Sequence, residues 1–137
     1  MTEIKDVLES IKENEIEYVD IRFTDPRGKL QHVTVMKDQV DEDFLNEGFM
    51  FDGSSIAGWK SIDQSDMKLI PDCSSFYRDP FYAEKTLCLH CNVVEPDTLE
   101  PYARDPRSTA IKAEKYLVST GIGDTAFFGP EAEFFLF

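Results

Sequence analysis

The stretch from Val19 to Val35 constrains the fold more than any other. Val19, Ile21 and Phe23 alternate with Asp20, Arg22 and Thr24, the period of a strand with one face in the core and the other toward water. Asp25-Pro26-Arg27-Gly28 then supplies a turn, with Pro where φ is pre-set and Gly where φ can be positive. A second strand runs from Lys29 to Val35, making a β-hairpin. His32, on its polar alternation, reads as a surface or hydrogen-bonded side chain.

The flanking segments read as helices and strands that extend this hairpin into one small sheet. Ile4, Val7, Leu8 and Ile11 have the spacing of one buried helical stripe, with Thr2 as the cap, Asn14 as the end, and Glu3 and Asp6 near the positive end of the dipole. Asp41 to Gly48 reads as a short helix with acids in its first turn and a glycine stop. Phe49 to Lys60 follows with no clean period and contains the one tryptophan, Trp59. Such composition fits a recognition loop, or simply a turn at Asp52-Gly53 flanked by core aromatics. Met67 to Ile70 reads as a short strand stopped by Pro71, and Phe76 to Phe81 as an irregular edge, because proline cannot donate to a ladder.

Thr86 to Val94 is the strongest strand pattern. Leu87, Leu89, Cys91 and Val93 share one face, and Cys88, His90 and Asn92 the other. Cys88 and Cys91 have a spacing seen in zinc and redox sites. Residues three apart on a strand point to opposite faces, however, and only Cys73 and His32 remain as further ligands, so these read as core thiols. Glu95 to Pro106 holds three of the seven prolines and reads as a domain boundary. Ser108 is then expected to cap a helix whose Ala110, Ile111, Ala113, Leu117 and Val118 face inward and which Gly121 stops. The class is α+β, without a βα repeat, a P-loop or a Gly-x-Gly-x-x-Gly.

Gly129 to Phe137 closes the sequence with two carboxylates in an apolar run. As a strand, Glu131 and Glu133 would share a face with α-carbons roughly 6.5–7 Å apart, so each could hold one member of a pair of divalent cations. The plainer reading is a half-buried strand whose glutamates lie in water. The run stops without a following segment to cover it, and the chain is expected to be the front part of something longer. A net charge of −13 argues against a polyanionic partner such as nucleic acid. No apolar run is long enough to span a bilayer. The absence of a signal-peptide pattern at the N-terminus, with an odd count of three cysteines, points to the cytoplasm.

Five motifs, Arg22-Phe23-Thr24-Asp25, Met50 to Ile56, Gly58-Trp59, Arg104 to Ser108 and Phe128 to Phe135, stand in the order and approximate spacing of bacterial type I glutamine synthetase, and the whole chain resembles the N-terminal portion of that family. The resemblance implies a β-grasp N-terminal domain, residues 1–103, followed in 104–137 by the first helix and strand of the catalytic domain. It implies an ATP-dependent ligase that joins glutamate and ammonia through γ-glutamyl phosphate. Two divalent cations, Mg or Mn, would lie between neighbouring subunits of stacked hexameric rings. Glu131 would bind the cation serving the nucleotide phosphates and Glu133 the one nearer glutamate. Asp52 would reach into the neighbour's site, bind ammonium and take its proton, with Ser55 beside it and Trp59 at the subunit contact. Ala132 departs from relatives with proline there, without disturbing the alternation. The family's other metal ligands, nucleotide pocket and glutamate-binding arginine have no counterpart in these residues, so this chain alone is expected to be inactive. Two alternatives are a β-grasp module that docks on full-length synthetase, and a relative that ligates glutamate to another amine, although the Asp52 to Ser55 segment favours ammonia.

Overall fold

The computed structural model describes residues 2–59 and 65–137. In order, the elements are helix α1 (Thr2–Glu13), strands β1 (Tyr18–Thr24) and β2 (Leu30–Met36), a 3-10 turn (Lys37–Gln39), helix α2 (Glu42–Glu47), strand β3 (Phe49–Asp52), a second 3-10 turn (Gly53–Ser55), strands β4 (Asp66–Arg78) and β5 (Thr86–Val94), and helix α3 (Pro106–Thr120). The strands form one sheet in the order β2-β1-β5-β4-β3. Among the described residues only the central β1–β5 pair is parallel, joined by a connection that carries β2, α2, β3 and β4.

The hairpin forms as its turn chemistry requires. Asp25 Oδ1 accepts from the amides of Arg27 and Lys29, both at 2.9 Å, Oδ2 accepts from Gln31 Nε2, and Gly28 takes φ +83°. The helix α2 is capped by Asp41, whose side chain accepts from Phe44 N, and ends at Gly48 with φ +84°. A Cβ at Gly48 would sit 2.4 Å from the Leu69 carbonyl oxygen, so only glycine lets the chain pass β4 there. The proposed cap at Thr2 involves a side chain outside the described residues, as does the Lys60 end of the recognition loop.

Helices α1 and α2 pack on β4 and on each other. The core they close includes Val7, Ile11 and Leu45 with Val19, Ile21, Leu69, Leu87, Leu89 and Cys91. The sequence pattern assigned the β5 faces as found, but both are covered: Cys88 and Cys91 are fully buried. Burial pushes the Cys88 thiol up to about 11 and raises Cys91 further.

The opposite, polar face of the sheet is built around Asp20, which is 1% exposed. Arg22 Nε and Thr34 Oγ1 donate to its carboxyl, and His32 Nδ1 lies 2.7 Å from Oδ1. Arg22 also donates to Asp79 Oδ2 and the Tyr77 hydroxyl. Burial pushes the Asp20 carboxyl up, but donation by Arg22, His32 and Thr34 outweighs it and leaves the group below its ordinary value. Buried charges are costly unless paired, and here Asp20 and Asp79 both pair with Arg22.

Four expectations are corrected. The strand expected to stop at Pro71 continues to Arg78. Pro71 lies beyond the part of β4 that pairs with β3, where a missing donor is tolerated, and an irregularity between Pro71 and Phe76 re-registers the strand so that Phe76 to Arg78 pair with β5. Within the irregular aromatic segment, Phe49 to Asp52 form β3 on the edge of β4. The cap of α3 is Asp105, with Pro106 at the first helical position. The Ser108 hydroxyl donates to Asp105, and α3 buries none of its residues. Gly129 to Phe137 has no ladder partner among the described residues and is exposed throughout, because a strand exists only against a neighbour.

Candidate functional site

The loop that leaves β3 presents Asp52. Its Oδ1 accepts from Ser54 N at 2.8 Å and Ser54 Oγ at 2.6 Å, while Ser55 Oγ donates to the Asp52 carbonyl. Donation by the Ser54 hydroxyl and amide holds the carboxyl below the usual range, so it is an exposed anion at neutral pH. The tight turn depends on Gly53. Its amide donates to Ser65 O at 2.7 Å, and a Cβ would lie 2.5 Å from Met67 Cγ.

Behind the loop stands an aromatic cluster. The Trp59 ring packs on Phe23 (5.4 Å between centroids), Phe51 (6.0 Å) and Tyr102 (5.3 Å), and the residue is 6% exposed. Within this chain Trp59 anchors the loop in the core. Its indole N–H finds no acceptor among the described residues.

On the far side of the cluster, the start of α3 is locked to β5. The Asp105 carboxyl, fully buried, accepts from Val93 N at 3.1 Å through Oδ2 and from Arg107 N through Oδ1. Arg107 donates to Asn92 Oδ1 and Asp72 Oδ2. Farther along, Ile111 and Leu117 line a groove of about 510 Å³ with Ala126 and Phe128.

The expected site residues are thus only partly assembled. Asp52 and Ser55 share one loop, whereas Glu131 and Glu133 lie on the exposed closing segment. No group of three or more His, Cys, Asp or Glu able to hold a metal occurs among the described residues. Two carboxylates fit hard divalent cations in kind but fall short of the roughly six oxygen ligands such ions take. Sequence reasoning missed the Asp20–Arg22–Asp79 network and the Arg104 and Asp105 contacts. The Asp-Pro pair at 105–106 was the available signal for the last, since Asp before Pro marks a cap and first helical position.

The sheet order, with a parallel central pair, a crossing helix and a loop-borne anion, defines an α+β β-grasp domain. The family described as "Glutamine synthetase, beta-Grasp domain" matches residues 15–96. The chain belongs to that family. It is 74% identical over all 137 residues to a glutamine synthetase of Cereibacter sphaeroides, and 58% identical over 131 residues to that of Escherichia coli K12. It spans 29% and 28% of their lengths and 100% and 96% of its own. A cryo-EM structure of Plasmodium falciparum glutamine synthetase superposes with a TM-score of 0.79 at 24% identity, covering 88% of this chain and 23% of that one. The structure titled "GmaS/ADP complex-Conformation 1" gives 0.73 at 23%, covering 84% of this chain and 26% of that one. These two likenesses concern the fold.

Proposed function

We propose that these residues form the amino-terminal part of an ATP-dependent ligase that makes glutamine from glutamate and ammonia via γ-glutamyl phosphate, and that they supply its ammonium loop and two of its metal ligands. The observation that carries this reading is the exposed Asp52 anion, fixed by Ser54 on a loop anchored in the aromatic cluster. Relatives named glutamine synthetase across the whole chain support it.

An aspartate held below its ordinary pKa attracts ammonium but is a weak base toward it. Ammonium has no lone pair, so it must lose a proton before nitrogen attacks the activated γ-carboxyl carbon; the Asp52 carboxylate would take that proton, and phosphate leaves as the C–N bond forms. Ser55, one turn away, would keep the cation oriented. Glu131 and Glu133 would hold separate cations, Mg or Mn, which when bound offset charge on the transferring phosphoryl group of ATP. Completing their coordination needs ligands from other segments.

In this reading residues 1–103 are the β-grasp domain and 104–137 begin the catalytic domain, which accords with an α3 that buries no residue here. The protein acts in the cytoplasm as a homo-oligomer of stacked hexameric rings, and the 137 residues alone are inactive. Among the described residues no helix is long and apolar enough to cross a membrane. The test is Asp52→Ala in a full-length chain carrying these residues. Ammonia-dependent turnover should fall about 100-fold or more while nucleotide still binds. Unchanged turnover at low ammonium would overturn the assignment.

A further inference from the structure

Arg104 lies between two fixed points. Tyr102 N donates to Val93 O at 2.9 Å and its ring packs on Trp59, while Asp105 is buried and accepts from Val93 N. The backbone at Arg104 is therefore held against β5. From there its Nη1 donates to two successive carbonyls, Gly58 O at 2.5 Å and Trp59 O at 3.0 Å.

Those carbonyls close the loop that opens at Asp52. Its start is pinned by Gly53 N on Ser65 O. Its far end reverses at Gly58, φ +86°, before the buried Trp59 side chain. Phe51, next to Asp52 in sequence, packs on the same indole. A displacement of the Gly58–Trp59 backbone is thus passed to Asp52 through both the loop and the ring stack.

We propose that Arg104 is a positioning residue for the Asp52 loop, setting the affinity for ammonium without touching the reacting atoms. This rests on the reading of Asp52 given above. A neutral side chain would leave the two carbonyls to water and let the loop end drift. Lysine would restore the charge and donate to at least one carbonyl, but from a more flexible and more strongly hydrated ammonium than the Nη1 that serves both.

The experiment compares Arg104→Ala, Arg104→Lys and Asp52→Asn in a full-length, active chain, with separate Michaelis constants for ammonium, glutamate and ATP. Loss of charge-assisted bonds predicts an ammonium KM about tenfold higher in Arg104→Ala. The constants for glutamate and ATP should stay within about twofold. Arg104→Lys should fall between the alanine variant and the parent. An unchanged ammonium KM, or a parallel rise in all three constants, overturns the inference. Should the alanine variant not fold, Arg104→Lys decides: a selective rise of a few fold in ammonium KM supports the role, and parental values refute it. If Asp52→Asn alters nothing, the reading of Asp52 fails. If it abolishes ammonium use while both Arg104 variants behave as the parent, only the positioning role falls.

Discussion

Asp105 joins α3 to the sheet, and its replacement by alanine tests that joint. Three donors reach its carboxyl: Val93 N at 3.1 Å, Arg107 N at 3.0 Å and Ser108 Oγ at 3.0 Å. Val93 is fully buried, so its amide would be left unsatisfied, at about 1–3 kcal/mol. Loss of the cap on α3 adds about 0.5–2 kcal/mol. The Ser108 hydroxyl turns to water at little cost. The sum is about 3 kcal/mol, or roughly 12–24 °C in Tm for a domain near 100 residues. Urea unfolding followed by circular dichroism should show a midpoint lowered by about 1–3 M. Ser108→Ala, by contrast, should cost under about 0.5 kcal/mol, which separates Asp105 from the serine that the sequence pattern favoured as the cap. A loss below about 1 kcal/mol in Asp105→Ala, or equal losses in the two variants, would refute the reasoning.

Further outcomes follow from the same contacts. Asp20, Asp72 and Asp79 all have pKa values lowered from an unfolded value of 3.8, so the unfolded chain binds more protons below that point. Their contribution is complete above pH about 4 and is lost as pH falls through the lowered native values. Urea titrations at pH 7, 4 and 3 should show that fall, with a shallower slope in Asp20→Asn. In native protein near pH 8, Cys88 and Cys91 should resist a disulfide reagent that labels the urea-unfolded chain within seconds, since burial raises both thiols. Rapid native labelling of either contradicts their packing. Gly53→Ala forces its new methyl against Met67 and near Ser65 O, and should cost about 1–3 kcal/mol in urea unfolding. An alanine variant as stable as the parent would mean the turn has room that the structure denies.

Local rules made the hairpin, the short acid-capped helix and the strand Thr86 to Val94 legible, because turn chemistry and period 2 act within a few residues. What stayed hidden depended on neighbours. Pro71 reads as a strand stop unless β3 is known to end before it. Phe49 to Asp52 become a strand only beside Asp66 to Leu69, and aromatic residues there look like loop residues alone. Conversely, Glu131 to Phe137 has strand periodicity but no partner in the sheet. The importance of Asp52 came from motif order, since a single Asp-Gly pair is an ordinary turn. Arg104 gave no local signal, because its two carbonyl partners lie 45 and 46 residues away.

The central claim is that the Asp52 loop and the Glu131–Glu133 pair serve one active site and come from neighbouring subunits. Co-expression of a full-length Asp52→Ala chain with a Glu131→Ala/Glu133→Ala chain tests it directly, each being inactive alone. In mixed rings about a quarter of adjacent pairs combine an intact loop with intact ligands, and ammonia-dependent glutamine formation should reappear at about that fraction of the parental rate. Mixed rings that assemble yet remain inactive would contradict the account.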